Sequence, residues 1–189
     1  TFTVYESRAP EGYLPSDETW SYTIGADQPG DAGVVELERR IPNIPIAFDL
    51  EISKFKDYGN SDGSGIEQPA EGVAFEVVSN TSQQVVGTLT TNIYGFASTK
   101  DQAGAWFGAG ERPDGVSGTI PYDRAGYTIR EVVDTVPDGF KQAGEWTITA
   151  EQITDGAELQ YIVDNHALAT HLQIVKRDAQ TGSAVPRVG

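Results

Sequence analysis

The feature that most constrains the fold is an alternation of apolar and polar residues in short segments. It is clearest over 48–54 (Phe-Asp-Leu-Glu-Ile-Ser-Lys) and 127–133 (Tyr-Thr-Ile-Arg-Glu-Val-Val), and turn residues such as those at 59–63 and 137–139 lie between such segments. A period of two is typical of strands that bury one face, and helical periodicity is nearly absent. Many short strands joined by Gly- and Pro-rich turns indicate a β-sandwich or a partly closed barrel. The sequence therefore predicts an all-β fold.

The chain also repeats one of its own patterns. Residues 2–6 (Phe-Thr-Val-Tyr-Glu) precede a Pro-Glu-Gly-Tyr turn at 10–13, and residues 127–131 (Tyr-Thr-Ile-Arg-Glu) precede a Pro-Asp-Gly-Phe turn at 137–140. The gap between the Glu and the Pro differs by two residues, which a surface loop tolerates easily. Each copy continues to a Trp and then to an Asn, at Trp20 and Asn43 in the first and at Trp146 and Asn165 in the second.

A second repeated pattern defines the expected domain boundaries. Residues 50–54 (Leu-Glu-Ile-Ser-Lys) match 172–176 (Leu-Gln-Ile-Val-Lys), and each Lys lies 11 residues after the Asn that precedes it. Tandem repeats of one supersecondary unit produce such a register. We therefore expect the chain to be a window cut from a tandem array: residues 1–45 as the C-terminal part of a preceding unit, 46–167 as a complete unit, and 168–189 as the first strand of a following unit.

Charge and composition exclude several function classes. The 189 residues contain 13 Lys and Arg against 28 Asp and Glu, a formal net charge of −15. Nucleic acid and anionic membrane surfaces would repel such a chain. The absence of Cys excludes disulfides, thiolate nucleophiles and Cys-based zinc sites. No apolar run approaches the roughly 18 residues of a membrane span, so we expect no direct membrane insertion of this segment.

Three polar residues fall on strand faces that are otherwise apolar. Parity along the alternating segments places Lys54, Glu131 and Asn165 toward the core. Burying a charged Lys and a charged Glu costs several kcal/mol unless something compensates. One interpretation is a buried Lys–Glu ion pair with Asn165 capping a turn. The recurrence of the same residue types in the partial units, as Glu6, Asn43 and Lys176, favours a functional role.

On these residues the sequence resembles the B-type repeat of Gram-positive collagen adhesins, a family shared with the backbone domains of sortase-assembled pilins. The resemblance lies in 50–54, in 72–77 (Gly-Val-Ala-Phe-Glu-Val), in 127–131 with the turn at 137–140, and in 163–165 (Val-Asp-Asn). It implies prealbumin-like or immunoglobulin-like β-sandwich repeats in tandem. It also implies a structural stalk repeat of an extracellular, cell-wall-anchored adhesin or pilus-like protein, with neighbouring repeats of the same chain as partners and no cofactor.

The resemblance further implies a self-formed amide bond between Lys54, the amine, and Asn165, the carboxamide, with Glu131 as the assisting acid. Lys56 shares the parity of Lys54, but the match to Lys176 favours Lys54. Asp164 is adjacent to Asn165 and is expected to face outward. A dry interior disfavours the charged forms of both an amine and a carboxyl, so a neutral nucleophile and a protonated acid can coexist there.

Metal binding has little support in the sequence. His166 and His171 are the only histidines, and no third ligand stands at metal spacing from them. The acidic turn with Asp57, Asn60 and Asp62 loosely suggests calcium, but its spacing misses the alternating ligand pattern of an EF-hand loop. We therefore expect no metal.

An alternative function rests on the Gly-rich segment 101–118, which carries Trp106 and Phe107 among polar residues. Exposed aromatic side chains on a loop can bind a glycan or a host-matrix protein, which would make the chain a ligand-binding adhesin module. The competing interpretation is that the two rings plug the open end of the sandwich. Catalysis on a foreign substrate is not expected, because the sequence has no Ser-His-Asp set, no phosphate-binding loop and no paired-carboxylate motif.

Overall fold

The computed structural model describes residues 1–24, 42–59, 65–102, 104–169 and 180. Within these ranges the chain forms strands and short 3-10 helices and has no α-helix, which confirms the predicted all-β fold. None of the described helices is long and apolar enough to cross a membrane. The strands are β1 (Phe2–Tyr5), β2 (Thr19–Tyr22), β3 (Ala47–Asp57), β4 (Glu67–Pro69), β5 (Ala74–Ser79), β6 (Val85–Thr90), β7 (Phe96–Ser98), β8 (Ile120–Pro121), β9 (Tyr127–Glu131), β10 (Trp146–Ile148) and β11 (Glu158–His166).

The main body is a β-sandwich of two sheets. One sheet is antiparallel throughout and has the strand order β10-β9-β5-β6. The other is built around the long strand β3, which pairs in parallel with β11 and antiparallel with β4, β7 and β8. The first and last strands of this body are therefore direct neighbours that run in the same direction.

The core lies between the inner faces of the two sheets. β3 contributes Phe48, Leu50 and Ile52, which are fully buried as their alternation with polar residues predicts. The facing sheet contributes Phe75, Val77, Leu89, Ile129 and Ile148 to the same cluster. Lys54 and Asn165 are also among the largest fully buried side chains, and both lie on the inner face of the sheet that contains β3.

The N-terminal segment repeats the local geometry of the body. In the β1–β2 hairpin Val4 pairs with Trp20, and in the β9–β10 pair Ile129 pairs with Trp146. The following turns also match, because Tyr13 N donates to Pro10 O over 3.2 Å and Phe140 N donates to Pro137 O over 3.1 Å. An isolated bridge then links Tyr13 to Pro45, and its counterpart links Phe140 to Ala167. The repeated sequence pattern thus corresponds to a repeated backbone geometry.

Candidate functional site

Lys54, Glu131 and Asn165 come together because three strands converge at one end of the sandwich. β3 carries Lys54 and β11 carries Asn165, and in their parallel register Lys54 lies opposite Val163, two residues before Asn165. Glu131 is the last residue of β9 in the facing sheet. The inward parity of each strand directs the three side chains into the same part of the core.

The contacts join the three side chains through the two oxygens of the carboxyl group. Lys54 Nζ lies 3.5 Å from Glu131 Oε1, and Asn165 Nδ2 donates to Glu131 Oε2 over 2.9 Å. Lys54 and Asn165 are 0% exposed and Glu131 is 2% exposed, so water is excluded from the group. An amine, a carboxyl and a carboxamide therefore meet in a dry interior.

Of the two lysines with the expected parity, Lys54 is the one in contact with Glu131. Its Nζ also donates to Val163 O over 3.2 Å. Lys56 lies two residues further along β3, opposite Asn165, and is half-buried rather than fully buried. Asp164 is half-buried on the opposite face of β11 from Asn165.

Burial lowers the pKa of Lys54 from its ordinary value of 10.5, because desolvation disfavours the ammonium form. The negative charge of Glu131, its hydrogen bond to the amine and the more distant charge of Asp164 act in the opposite direction. The desolvation effect is the larger, so a greater fraction of this amine is neutral, and therefore nucleophilic, than of an exposed lysine.

The loop after β9 holds the acid and the amide in place with its backbone. Ala143 N donates to Glu131 Oε2 over 2.7 Å, and Asn165 Nδ2 donates to Lys141 O over 2.7 Å. Gln142 Nε2 donates to the backbone oxygen of Glu131 over 2.7 Å. A backbone carbonyl oxygen can only accept a hydrogen bond, so the side-chain NH2 of Asn165 must face Lys141 O. This fixes the orientation of the amide, with Asn165 Oδ1 pointing away from Lys141 O.

One oxygen in the site, Asn165 Oδ1, is buried without a hydrogen-bond partner. Glu131 Oε1 has the 3.5 Å contact with Lys54 Nζ as its polar contact. Leaving a buried acceptor unpaired costs about 1–3 kcal/mol, so such atoms are uncommon in stable folds. The cluster is therefore an energetically costly arrangement if its only role is to stabilise the fold.

A second Glu–Asn pair in the N-terminal segment has the same arrangement. Asn43 Nδ2 donates to both oxygens of Glu6, over 2.8 and 2.9 Å, and also to Leu14 O over 3.3 Å. Ser16 N donates to Glu6 Oε2 over 2.6 Å, as Ala143 N does to Glu131. Both Glu6 and Asn43 are half-buried, and Lys176 lies outside the described residues.

The two aromatic residues of the Gly-rich segment lie in different environments. Phe107 is 8% exposed and belongs to the core cluster, with its ring packed directly over Gly87. Trp106 is half-buried and lines a cavity of about 310 Å³ together with Tyr13 and Tyr122. Of the two candidate ligand contacts, only Trp106 therefore reaches the surface.

The described part of the chain contains no cluster of three or more residues that could hold a metal ion. His166 Nδ1 lies 2.8 Å from Asp57 Oδ2. The pKa of Asp57 is lowered first by a hydrogen bond from Gly59 N and then by His166. His171, Asn60 and Asp62 lie outside the described residues.

Comparisons with known proteins identify relatives by fold. No family model and no curated protein matches the chain. A solved structure of the Bacillus anthracis TIE protein is 18% identical with a TM-score of 0.54, over 88% of this chain and 24% of the other. GBS52, the minor pilin of Streptococcus agalactiae, is 14% identical with a TM-score of 0.42, over 68% of this chain and 48% of the other. The shaft pilin SpaA of Lactobacillus rhamnosus GG is 16% identical with a TM-score of 0.42, over 72% of this chain and 58% of the other. The chain thus spans about a quarter of the first structure and about half of the other two, and it shares the β-sandwich fold of the first.

Proposed function

We propose that this chain is a structural stalk segment of a Gram-positive cell-surface adhesin or pilus-like protein, stiffened by an amide bond that forms spontaneously between Lys54 and Asn165 with the help of Glu131. The observation that carries the proposal is the buried contact of these three side chains. The β-sandwich fold and the resemblance of the sequence to B-type repeats support the same assignment. In this proposal the chain acts on itself once and on no foreign substrate.

The proposed reaction exchanges one amide for another. The neutral amine of Lys54 attacks Cγ of Asn165, the new C–N bond forms, and the Cγ–Nδ2 bond breaks to release ammonia. The amine must lose a proton and the leaving nitrogen must gain one. Glu131 faces both atoms, because Oε1 lies 3.5 Å from Lys54 Nζ and Oε2 accepts from Asn165 Nδ2 over 2.9 Å. It is therefore placed to carry the proton from the nucleophile to the leaving group.

Pre-organisation makes such a slow reaction feasible without an enzyme. A rigid core that holds the reactants in position can supply roughly 7–11 kcal/mol of the barrier. The loop backbone at Lys141 and Ala143 holds the amide and the acid, and β3 holds the amine. One turnover per molecule is sufficient, since the product is the mature fold.

The bond would suit a segment under tension. Force applied at the two ends of the body enters at the start of β3 and leaves at the end of β11, so these parallel neighbours are loaded in shear. A bond from Lys54 to Asn165 carries the force between them directly and closes a loop of 111 residues. For loops of about 100 residues the cross-link is worth on the order of 4–5 kcal/mol in a chain-entropy model.

The proposed domain organisation remains that of the sequence: a partial unit over 1–45, a complete unit over 46–167, and an opening strand over 168–189. The matching geometry of the Glu6–Asn43 and Glu131–Asn165 pairs supports it. In this organisation a strand with a Lys, contributed by the unit to which residues 1–45 belong, would complete the first site. Neighbouring repeats are then the principal partners of each unit.

The position of Trp106 favours the stalk over the ligand-binding alternative. Its ring packs closely over Gly108 and faces the cavity between the N-terminal segment and the body. A side chain placed there contributes to the joint between the two parts of the chain. Glycan or matrix-protein binding through Trp106 would have to take place inside this cavity.

Intact-mass measurement of the purified chain tests the proposal. We expect a deficit of about 17 Da relative to the sequence, the mass of the ammonia released in the amide-forming step. Glu131→Ala should restore the full mass, because the proton carrier is removed. Glu6→Ala is the matched control and should leave the deficit unchanged. A full mass in the unsubstituted chain would refute the proposal.

A further inference from the structure

A joint between the N-terminal segment and the body is visible in the structure. Tyr122 OH donates to Glu11 Oε1 over 2.8 Å, and this hydrogen bond raises the pKa of the phenol. The tyrosine ring covers Gly12, where an added Cβ would lie 2.6 Å from the ring. Backbone hydrogen bonds continue the contact, because Tyr122 N donates to Ile46 O within the body and Ile46 N donates across to Gly12 O, each over 2.8 Å. The joint is therefore a specific contact between a tyrosine and a glycine turn.

The glycine turn at the equivalent position of the second copy has the same shape. Gly12 and Gly139 have φ values of +83° and +84°. Ile46 N donates to Gly12 O over 2.8 Å, and Leu168 N donates to Gly139 O over 2.7 Å. Asp138 stands where Glu11 stands in the first turn, so both turns present a carboxylate next to the glycine.

None of the described residues covers the second turn. Gly139 is exposed, and no atom of the described residues lies within 4 Å of the point where a Cβ would stand. Leu168, the counterpart of Ile46, is 54% exposed, whereas Ile46 packs against the core. The surface formed by Asp138, Gly139 and Leu168, here called the distal turn, thus has the shape and chemistry of a site that is occupied elsewhere in the same molecule.

We infer that the distal turn is a docking site for the next unit of the same fold, which places a tyrosine equivalent to Tyr122 over Gly139 and donates its hydroxyl to Asp138. The inference rests on the tandem arrangement proposed above. Its occupant is defined by the first joint, where the same pair of groups is already engaged. Successive units would then meet at a fixed angle instead of through a flexible linker.

A two-unit chain tests the inference. Because Lys176 and Lys54 occupy equivalent positions in the repeat, residues 1–176 can be followed directly by residues 55–169, and the spacing of the repeated pattern is kept. Hydrogen exchange is then measured over residues 137–141 of the first unit, where Phe140 N and Lys141 N are hydrogen-bonded. The rate in this tandem chain is compared with the rate over the same residues in the 189-residue chain. We expect exchange there to slow about 3- to 10-fold in the tandem chain, the effect of one added hydrogen bond.

Substitution of the tyrosine identifies the contact. Tyr122→Ala in the second unit of the tandem chain should return residues 137–141 to the faster rate. Tyr94→Ala in the same unit is the matched control, because Tyr94 is 74% exposed and does not line the first joint. Equal exchange rates in the tandem and single chains would overturn the inference. Slowing that survives Tyr122→Ala would overturn the assigned contact.

Two further measurements separate this result from the proposed cross-link. In the 189-residue chain, Tyr122→Ala should accelerate exchange over residues 10–14 by a similar factor, and an unchanged rate would remove the template for the inference. The mass deficit of the same samples reports the Lys54–Asn165 bond independently. Loss of docking with the deficit intact would count against the joint alone, and loss of the deficit with docking intact would count against the cross-link alone.

Discussion

At the scale of single residues, Lys54 is the side chain whose placement most needs a reason. A charged amine in a site with no solvent exposure is strongly disfavoured, and one carboxylate compensates only in part. Amide formation removes the titratable group altogether, because Lys54 Nζ becomes the nitrogen of a neutral amide with Asn165 Cγ. Burial of the amine lowers its pKa and so makes the proposed reaction possible, and the reaction then removes the free-energy cost of burying that amine.

The pH dependence of stability reports whether the amine is still free. In Asn165→Ala the bond cannot form, so Lys54 keeps its lowered pKa in the folded state and regains 10.5 when unfolded. Between these two pKa values the unfolded chain binds a proton that the folded chain lacks, so stability should rise with pH, by at most about 1.4 kcal/mol per pH unit. Chemical denaturation from about pH 7 to about pH 10 measures this slope.

The double variant Lys54→Met/Asn165→Ala provides the baseline, because it keeps every other titrating group. The additional slope of Asn165→Ala over this variant is the contribution of Lys54. The unsubstituted chain should lack that contribution, since its amine is consumed. Equal slopes in all three proteins would contradict a free, desolvated lysine in the unreacted site.

Strand parity is sufficient to predict which residues of the site face inward. Lys54, Glu131 and Asn165 each follow an apolar residue of the same face by two positions, and the structure buries all three. The backbone groups that orient them, Lys141 O and Ala143 N, could not be predicted. Every residue has such groups, and only the path of the loop after β9 selects these two.

At the scale of elements, the long alternating strands were easier to predict than the short ones. β3 contains the whole of the expected segment 48–54, whereas β9 ends at Glu131 and the chain then enters a 3-10 turn at Val133–Thr135. β7 and β8 have three and two residues and both pair with β3. Segments of that length contain too few residues to show a period of two, so their pairing depends on tertiary contacts.

The packing of the Gly-rich segment on β6 can be tested by one methyl group. An Ala at position 87 would place its Cβ against the ring of Phe107, which is buried in the core. We expect Gly87→Ala to lower the free energy of unfolding by about 1–3 kcal/mol, as overpacking does in other cores. Chemical denaturation measures the loss.

Gly144→Ala is the matched control, since no atom of the part of the chain that the structure describes lies within 4 Å of the added Cβ, and the backbone there is not in the left-handed region. Its effect should stay within about 0.5 kcal/mol. A loss at position 87 no larger than the loss at position 144 would show that Phe107 does not pack over β6 as described.

At the scale of the whole molecule, the topology determines what a bond at this site can do. β3 and β11 are the terminal strands of the body and run in parallel, so nearly the entire body lies within the loop between Lys54 and Asn165. Antiparallel terminal strands joined at one end would be peeled apart one hydrogen bond at a time. Parallel strands pulled from opposite ends resist together, and the covalent bond would make that resistance permanent.

Single-molecule pulling from the two termini measures this consequence directly. With the bond in place, the 111 residues from Lys54 to Asn165 cannot extend, so the fully stretched chain should be about 370–400 Å shorter than the Glu131→Ala variant, at 3.3–3.6 Å per residue. Glu6→Ala should stretch to the shorter, unsubstituted length. A loop closed by the bond cannot add to the stretched length of the chain. Equal stretched lengths for the unsubstituted chain and Glu131→Ala would therefore show that the unsubstituted sandwich has no cross-link.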